Sequence, residues 1–484
     1  MASKVMLLAL AALPLAKTET VLGVYIFSRH GDRTPKALAP ANLTSLGAEQ
    51  VFTSGGWYRD HYVASDASSP ILGLSRDIAA LSQMAVTAPT DNVLQNSAQG
   101  FLQGLYPPAG DFSTQELRND SKVTAPLGGY QYIPVNAVSS AASGTNSENS
   151  AWLQGSSGCN AAVVSSNNYL SSDEYVTTLD QTKAFYAGLL PVINSTFAAD
   201  AATFKNAYTI FDYINVATIH NQTIPASDLL TNDTLRELKL LANQHEWGLA
   251  YNSSDEIRAI AGATLAGQVV DALNATVAGA GAQPVVNVQF GAYGVFLSFF
   301  GLAKLPSISD DFTGVVDYAA SMAFELVTNA SVSVGGSYPS ADDISVRFRF
   351  TNGSAAALTP QVYPLFGQEE TLLPWTTFAA EMNKFAISTT PDWCRVCGVT
   401  TGSCASNATS GDDGGSSSST TSSHKSGSNI SLPVAGVIGA LVTLVVVLGA
   451  EALIYVVSGL TLAKKSTLAA AQAGAGGASA ASKA

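Results

Sequence analysis

Two arginines flank a histidine directly after an apolar run near the start of the chain, in the stretch VLGVYIFSRHGDRTP (residues 21–35). The guanidiniums of Arg29 and Arg33 each present a rigid fork of hydrogen-bond donors that matches the oxygens of a phosphate dianion. Cations this close disfavour protonation of His30, so we expect its imidazole to stay neutral and nucleophilic. The alternative is a charged surface loop that happens to follow a strand. The residue types favour a phosphate site built around a nucleophile.

The apolar run before this motif is typical of a strand that is buried on both faces of a sheet. Residues 21–28 are apolar nearly throughout and include β-branched and aromatic side chains. The segments PVVNVQF (284–290) and ISVRFRF (344–350) predict further strands. Ligand sites in α/β sheets lie beyond the carboxyl ends of strands. The motif at residues 29–35 therefore stands where a site is expected.

Three segments between these strands have apolar residues at helical spacing: SSDEYVTTLDQTKAFYAGLL (171–190), NDTLRELKLLANQHEWGLAY (232–251) and DEIRAIAGATLAGQVVDAL (255–273). The first begins with serine caps and early acidic residues, as helices do. Strands at the start and end of the chain with a helix-rich middle predict an α/β fold. We expect a mixed, mainly parallel sheet that is flanked by helices and carries an inserted helical lobe.

The motif RHGDRTP resembles the RHGxRxP signature of the histidine acid phosphatases, which form branch 2 of the histidine phosphatase superfamily and have a phosphoglycerate mutase-like fold. A looser similarity extends through AQGFLQGLYPP (98–108) and HEWGLAY (245–251) and covers most of residues 21 to about 400. The resemblance implies that His30 attacks phosphorus to give a phosphohistidine, which water hydrolyses. It also implies that Arg29 and Arg33 hold the phosphoryl oxygens. The implied partner is a small phosphorylated substrate, and the scheme requires no metal or other cofactor.

This sequence departs from the family pattern at two places. A further phosphate-binding arginine would align with Val93, but the surrounding VTAPTDNVLQNSAQ (86–99) contains no arginine. The family's His-Asp pair, which protonates the leaving alkoxide, aligns with Tyr293 and Gly294. For each possible substitute, a solvated side chain or a helix-packing role is the more ordinary interpretation. The possible substitutes are Asp32, Asp91, Tyr293, and the pair His245 and Glu246.

Two hypotheses of function follow from the motif and its departures. The first is an extracellular, membrane-anchored acid phosphatase that hydrolyses phosphate monoesters through a phosphohistidine. The second is a catalytically weakened surface glycoprotein that binds phosphate or a phosphorylated ligand. The intact motif favours the first, and the missing residues favour the second. A mutase or a phytase is less favoured, because the superfamily's mutases are usually cytosolic and phytate demands a more basic pocket.

The two ends of the chain read as targeting and anchoring segments rather than as core. A short apolar run follows Lys4, and a Ser/Thr/Gly-rich tract precedes an apolar stretch long enough to cross a bilayer. Lys464 and Lys465 follow that stretch, so the positive-inside bias places the tail in the cytosol. We expect a single-pass type I protein of the cell membrane, with its main domain outside. The segments are a signal peptide (1–17), a phosphatase-like domain (18–400), a stalk (405–431), a transmembrane helix (432–463) and a cytosolic tail (464–484).

The sequons and the cysteines agree with passage through the secretory pathway. All eleven N-x-S/T sequons precede the predicted membrane segment. Oxidised cysteines are expected in that compartment. Cys394, Cys397 and Cys404 cluster, whereas Cys159 stands apart, and we expect Cys159 to pair with a member of the cluster. A zinc site is the alternative, but no histidine lies at finger-like spacing.

The formal net charge of −13 bears on the partners of the chain. Such a charge argues against nucleic acid as a partner, and weakly against a strongly polyanionic substrate. The sequence does not indicate an oligomeric state.

Overall fold

The computed structural model describes residues 19–138, 158–220, 224–282 and 284–407. Their strands are β1 Thr20–Arg29, β2 Met84–Pro89, β3 Thr114–Glu116, β4 Lys122–Thr124, β5 Asn136–Val138, β6 Val286–Gly291, β7 Ser321–Thr328, β8 Ile344–Thr351, β9 Gln361–Tyr363 and β10 Leu372–Pro374. Their helices are α1 Ser45–Tyr62, α2 Asn92–Leu105, the irregular turn α3 Pro126–Gly129, α4 Asn160–Tyr169, α5 Asp173–Gln181, α6 Lys183–Gly188, α7 Leu190–Ile193, α8 Ala207–Ile219, α9 Asn232–Ala250, α10 Ile260–Ala278, α11 Tyr293–Leu302, α12 Trp375–Met382 and α13 Thr390–Cys397.

A mixed sheet lies at the centre of the fold, with the strand order β10-β8-β7-β1-β6-β2-β5 and with β9 paired to β8. Strands β1, β6, β2 and β5 run parallel to one another. Strands β7, β8 and β10 continue the sheet in antiparallel pairing from β1. This confirms the predicted α/β class and the strands predicted at residues 21–28, 284–290 and 344–350.

Strand β1 is buried on both faces, as its apolar run predicts. Tyr25 and Phe27 pack into a core cluster that includes the apolar side chains of α10 and α11. Val24 and Ile26 point to the opposite face, where they join a second cluster that contains α1 and α2 side chains. The period of two along a strand places alternate residues in the two clusters. The strand that carries the motif is thus fixed from both sides.

The described residues between β5 and β6 form the inserted helical lobe that the sequence predicts, from α4 to α9, and then α10, which packs on the sheet. The segment 171–190, whose pattern predicts one helix, is instead divided among α5, α6 and α7. Ser172 caps α5 as predicted, since its side chain accepts a hydrogen bond from the backbone N–H of Tyr175. The Thr182 hydroxyl bonds back to the Thr178 carbonyl at 2.7 Å, a contact that bends helices. Pro191 then prevents α6 and α7 from being continuous, because proline lacks an N–H and crowds the preceding turn.

Three chain segments meet at the carboxyl end of β1. Arg29 pairs with Gly291 in the parallel register, so β6 ends beside β1. Ser28 pairs with Ser321 in the antiparallel register, so β7 begins at the same edge. The residues that follow β6 and those that precede β7 are therefore brought to the motif by the sheet itself.

Two disulfides fix the C-terminal part of the described chain. Cys159 pairs with Cys397, which confirms that the isolated cysteine joins the cluster. Cys394 pairs with Cys404, so covalent structure extends past residue 400.

Several predicted segments lie outside the described residues: the signal peptide, the stalk beyond residue 407, the transmembrane helix and the tail. Among the helices that the structure describes, none is long and apolar enough to cross a membrane. The membrane segment at residues 432–463 remains a prediction.

Candidate functional site

The motif loop is held by close backbone contact with α1. A Cβ atom added at Gly31 would lie 2.1 Å from the carbonyl oxygen of Gly47, and one at Gly47 would lie 2.0 Å from that of Asp32. The backbone N–H of Gly31 also donates to Ser97 Oγ of α2 at 3.2 Å. The missing side chain at Gly31 thus admits the first turn of α1. The loop is held against two helices before any ligand binds.

His30 is fully buried directly after β1. Its Nδ1 lies 2.8 Å from the carbonyl oxygen of Gly31. A carbonyl only accepts, so Nδ1 donates, and in the neutral ring the lone pair is then on Nε2. The backbone carbonyl of His30 accepts from the N–H of Ala319, just before β7. The contact at Nδ1 sets the ring so that Nε2 carries the lone pair, and the backbone contact holds His30 beside the start of β7.

Arg29 is buried among aromatic rings. Its guanidinium carbon lies 4.7 Å from the ring centre of Tyr318 and 5.3 Å from that of Tyr293. Nη1 donates to the carbonyl of Val316, and Nη2 lies 3.4 Å from the hydroxyl of Tyr208. Cation–π contacts of this kind orient a guanidinium without neutralising its charge. Arg29 therefore presents a fixed cation beside His30.

Arg33 is fully buried and forms a two-pronged ion pair with the helical lobe. Nη2 lies 2.9 Å from Asp212 Oδ1, and Nη1 lies 3.1 Å from Asp212 Oδ2. Burial acts to lower the pKa of Arg33, but Tyr208, Asp212 and Tyr318 outweigh it, so the pKa is raised above its usual value. Asp212 Oδ2 also accepts the backbone N–H of Lys36 at 2.9 Å. A carboxylate of α8 thus occupies the two terminal nitrogens of Arg33.

The Nε donor of each arginine is left for a ligand. The Nε atoms of Arg29 and Arg33 are buried and make no hydrogen bond with the described residues. A buried N–H without an acceptor costs about 1 to 3 kcal/mol, and native proteins rarely tolerate one without a functional reason. Phosphate oxygens would satisfy both donors. The two Nε atoms are the strongest structural sign of an anion site around His30.

Tyr293 lies at the start of α11, at the position where the family pattern has a proton donor. Its hydroxyl donates to Glu246 Oε2 at 2.7 Å, and Glu246 Oε1 lies 2.8 Å from His245 Nδ1. Burial and then the charge of Glu246 raise the pKa of Tyr293 well above its usual value, against the opposing effect of Arg29. Gly294 faces open space, since a Cβ atom added there would have no atom within 4 Å. Two of the possible substitutes, Tyr293 and the His245–Glu246 pair, are thus joined in one hydrogen-bonded chain.

The other sequence candidates have different partners. Asp32 is buried, and its Oδ2 lies 2.6 Å from His220 Nε2 of the lobe and 2.5 Å from Thr44 Oγ1. Asp91 caps α2 by accepting the backbone N–H of Leu94. The carboxylate of Asp32 is therefore hydrogen-bonded in the interior, whereas that of Asp91 is a partly exposed helix cap. Val93 is buried in α2, so the aligned position supplies no cation.

Sequence reasoning missed four residues of this site. Lys36 Nζ lies 5.8 Å from the Tyr208 ring centre and 5.6 Å from that of Tyr293, which adds a third cation. Tyr208 and Asp212 are one helical turn apart on α8, so they share a face. That spacing was visible in the sequence, but nothing in it indicates contact with residues 29–33. The missed residues are Lys36, Tyr208, Asp212 and Tyr318.

A cleft of about 480 Å³ opens beside Arg29 between α8 of the lobe and the segments that adjoin β7 and β8. Tyr208, Phe211 and Tyr318 contribute aromatic walls. Within the described ranges, no group of three or more His, Cys, Asp or Glu side chains is arranged to hold a metal ion.

Comparison with known proteins gives a family and a set of similar folds. The family model of the histidine phosphatase superfamily (branch 2) matches residues 37–351. The phytase of Citrobacter braakii is 14% identical with a TM-score of 0.50, over 77% of this chain and 99% of that one. The apo form of Hafnia alvei phytase is 12% identical with a TM-score of 0.49, over 79% and 99%. The Bifidobacterium longum multiple inositol polyphosphate phosphatase, in complex with inositol hexasulfate, is 11% identical with a TM-score of 0.44, over 76% and 92%. No curated protein matches the sequence.

Proposed function

This chain belongs to branch 2 of the histidine phosphatase superfamily, and from that membership we propose that it hydrolyses phosphate monoesters at His30. The observation that carries the proposal is the pair of buried Nε donors of Arg29 and Arg33, which flank the histidine and make no hydrogen bond with the described residues. A phosphoryl group supplies acceptors for both. The resemblance of RHGDRTP to the family signature supports the same assignment.

The proposed reaction has two displacements at phosphorus. His30 Nε2 forms a bond to phosphorus as the bond to the ester oxygen breaks, and the alcohol leaves with a proton. Water then attacks the phosphohistidine, which releases inorganic phosphate and regenerates the imidazole. Arg29 and Arg33 stabilise the charge on the phosphoryl oxygens, which is greatest in the transition state.

We assign the proton of the leaving alcohol to the Tyr293–Glu246 pair. Arg29 stacks on the Tyr293 ring, which places that ring beside the cation that binds phosphate. The Tyr293 hydroxyl hydrogen passes to the leaving oxygen. In the second displacement the attacking water loses a proton to Glu246, which returns it to the tyrosine oxygen through their 2.7 Å hydrogen bond.

A weakened enzyme that only binds phosphate is the second candidate function. The specific observation in its favour is that Asp212 holds both terminal nitrogens of Arg33. A carboxylate so close to a bound phosphate opposes it electrostatically. The buried Val93, where the family pattern has an arginine, acts in the same direction.

The two candidates are separated by an assay of the full chain on nitrophenyl phosphate at mildly acidic pH. The test variant is His30→Ala, and His424→Ala is the matched control, since it removes a histidine far along the chain from the motif. Turnover that is lost only in His30→Ala supports the phosphatase. Absent turnover, with binding of inorganic phosphate that requires Arg29, favours the binding function. Turnover that persists in His30→Ala would refute both roles of the histidine.

We further propose that the domain faces the extracellular side of the cell membrane on a single C-terminal anchor. The apolar residues 432–463 and the two lysines that follow support this topology. The two disulfides suit an oxidising compartment. Protease added to intact cells should remove the domain and spare the tail at residues 464–484. A tail epitope on the outer surface would contradict the topology.

A further inference from the structure

The cleft beside Arg29 has walls that are about half apolar or aromatic, and its uncharged polar lining residues are Gln50, Asn215, Asn352 and Ser354. The lobe helix α8 and the segments around β7 and β8 form these walls. The side chains that matter here are Tyr208, Phe211, Ile219, Val316, Tyr318 and Leu358. Ile219 and Leu358 are 40% and 54% exposed, so they form an open rim rather than a closed core.

The inner end of this cleft adjoins the proposed phosphate site. Arg29 lines the cleft, and the Tyr318 ring that covers it has its centre 5.7 Å from the His30 ring centre. A phosphoryl group held by Arg29 and attacked by His30 would therefore lie at this end of the cleft. The alcohol part of the substrate occupies the cleft.

The charges in the cleft are balanced. Its cations among the described lining residues are Arg29 and Lys239, and its carboxylates are Asp212 and Asp317. Lys239 Nζ lies 3.5 Å from Asp317 Oδ1, and Asp212 pairs with Arg33, so Arg29 is the one lining cation that faces no carboxylate among the described residues. Further phosphate groups on a substrate would find carboxylates here and little uncompensated positive charge. Binding several of them would require buried or half-buried cations that these walls do not provide.

We propose that the cleft selects phosphate monoesters of apolar, preferably aromatic, alcohols and disfavours polyphosphorylated substrates such as inositol hexakisphosphate. This proposal rests on the proposed phosphatase function, because it concerns the leaving alcohol of that reaction. The apolar walls gain free energy from each apolar surface that they cover. Aromatic rings add stacking on Tyr208 and Tyr318.

The test must separate apolar contact from leaving-group chemistry, because any weak acid leaves more easily. Phenyl phosphate and 2-naphthyl phosphate have leaving groups of nearly equal acidity and differ by one fused ring. For the full chain, we expect the KM of the naphthyl ester to be about tenfold lower, the lower end of what one added apolar group gives in a pocket. We expect kcat/KM for inositol hexakisphosphate to be at least about tenfold below that for phenyl phosphate, given its unpaired charge.

Two charge insertions at the rim sharpen the test. Leu358→Lys and Ile219→Lys lie on different elements and replace exposed side chains, so neither is needed for folding. Each should reduce the naphthyl preference by about threefold and raise kcat/KM for inositol hexakisphosphate, a reciprocal change that general damage does not produce. Val123→Lys, at a residue of β4 that is 51% exposed and outside the cleft, is the control and should change neither. Thermal unfolding of each variant checks that it is folded.

Two failures have different meanings. Hydrolysis that depends on His30 but shows equal KM values for the phenyl and naphthyl esters would overturn the cleft assignment alone. Efficient His30-dependent turnover of inositol hexakisphosphate by the unmodified chain would also overturn it. Absence of any His30-dependent hydrolysis would overturn the proposed phosphatase function, and the cleft assignment with it.

Discussion

At the scale of single residues, the unusual feature of the site is that Arg33 has two competing partners. Asp212 takes both terminal nitrogens, while the buried Nε remains without an acceptor among the described residues. In the proposed function, a bound phosphate would share this guanidinium with a carboxylate of the helical lobe. The affinity for phosphate is then set partly by a residue that belongs to α8 and not to the motif.

Replacing that carboxylate by a neutral amide should strengthen phosphate binding. Two unit charges about 6 Å apart interact by roughly 3 kcal/mol at an effective dielectric constant near 20, and reorganisation reduces the net effect. We expect Asp212→Asn to lower the Kd of inorganic phosphate about tenfold, as measured by calorimetry. Asp317→Asn, in the same cleft but 57% exposed, is the control and should have a much smaller effect. Weaker binding by Asp212→Asn would show that Asp212 instead orients Arg33 for the ligand.

The proposed proton relay gives a second prediction for a single residue. Tyr293→Phe keeps the ring that stacks on Arg29 and removes the hydroxyl that donates to Glu246. General-acid catalysis contributes about 10² to 10⁴-fold, so kcat for glycerol phosphate should fall about 100-fold. Nitrophenyl phosphate should change little, because nitrophenolate leaves without a proton.

The control for this relay is Tyr318→Phe, which also stacks on Arg29 but whose hydroxyl lies 3.4 Å from Asp212 rather than beside Glu246. Equal losses for aryl and alkyl esters in Tyr293→Phe would exclude the relay. The open space at Gly294 would then make Gly294→Asp the next variant, with a selective gain on alkyl esters expected.

The sequence predicts part of this site and leaves the rest hidden for a physical reason. Arg29, His30 and Arg33 are contiguous, so their types and spacing alone indicate the chemistry. Asp212 contacts Arg33 across 179 positions of the chain, and no local pattern reports a contact made by folding. Tyr293 was visible as a departure from the family pattern, but only the fold shows its bond to Glu246.

At the scale of secondary-structure elements, a buried carboxylate on β7 ties α1 to the sheet. Glu325 accepts from Tyr62 Oη at 2.6 Å, from Arg347 Nε at 2.5 Å and from Arg349 Nε at 2.8 Å, and His61 Nε2 lies 3.4 Å away. The two arginines alternate along β8, so both face the same side. Because the first turn of α1 packs on the motif loop, this tie at its last turn also steadies the site.

This network gives a pH-dependent stability. Burial acts to raise the pKa of Glu325, but His61 and the two arginines outweigh it and lower the pKa from 4.5 to about 2. A carboxylate with a lowered pKa stabilises the fold fully above its unfolded value, and that contribution is lost as the pH falls through the folded value. The shift corresponds to about 3 kcal/mol at neutral pH.

We therefore expect Glu325→Gln to lower the free energy of unfolding by about 3 kcal/mol at neutral pH, as measured with urea. The difference from the unmodified chain should shrink as the pH falls from 4.5 toward 2. Glu381→Gln, which removes a carboxylate paired with the 65% exposed Lys384, should cost less than about 0.5 kcal/mol. A pH-independent loss in Glu325→Gln would mean that packing, and not charge, is what the substitution removes.

The pattern of apolar and capping residues predicts a helix or strand correctly where no residue inside the segment interrupts the backbone hydrogen bonds. Strand β1 and helix α9 follow from their apolar periodicity and their capping residues, and the structure has them nearly as expected. The segment 171–190 has the same kind of periodicity but is divided, because Thr182 and Pro191 interrupt the backbone hydrogen bonds. A single threonine or proline thus decides whether a helix is continuous, although the apolar pattern of the segment does not change.

At the scale of the whole molecule, the two disulfides close loops of very different length. Cys159–Cys397 spans 238 positions and ties the start of the helical lobe to α13, whereas Cys394–Cys404 spans 10. Cys159, Cys394 and Cys397 pack with Ile260 and Trp393 in one small apolar cluster. The sequence predicted that Cys159 pairs with a member of the cluster, but the exact partner depended on how α4 and α13 meet.

The difference in loop length predicts that the two disulfides contribute differently to the free energy of unfolding. In the chain-entropy view, a crosslink restricts the unfolded chain more when it closes a longer loop, so the long crosslink should be worth about 2 to 3 kcal/mol more than the short one. We expect the double variant Cys159→Ala/Cys397→Ala to lose that much more free energy of unfolding than Cys394→Ala/Cys404→Ala, in urea at neutral pH. The two variants are matched, since each removes two sulfur atoms from the same buried cluster. Equal losses of free energy of unfolding would mean that packing within the cluster, and not the length of the closed loop, accounts for the contribution of both disulfides.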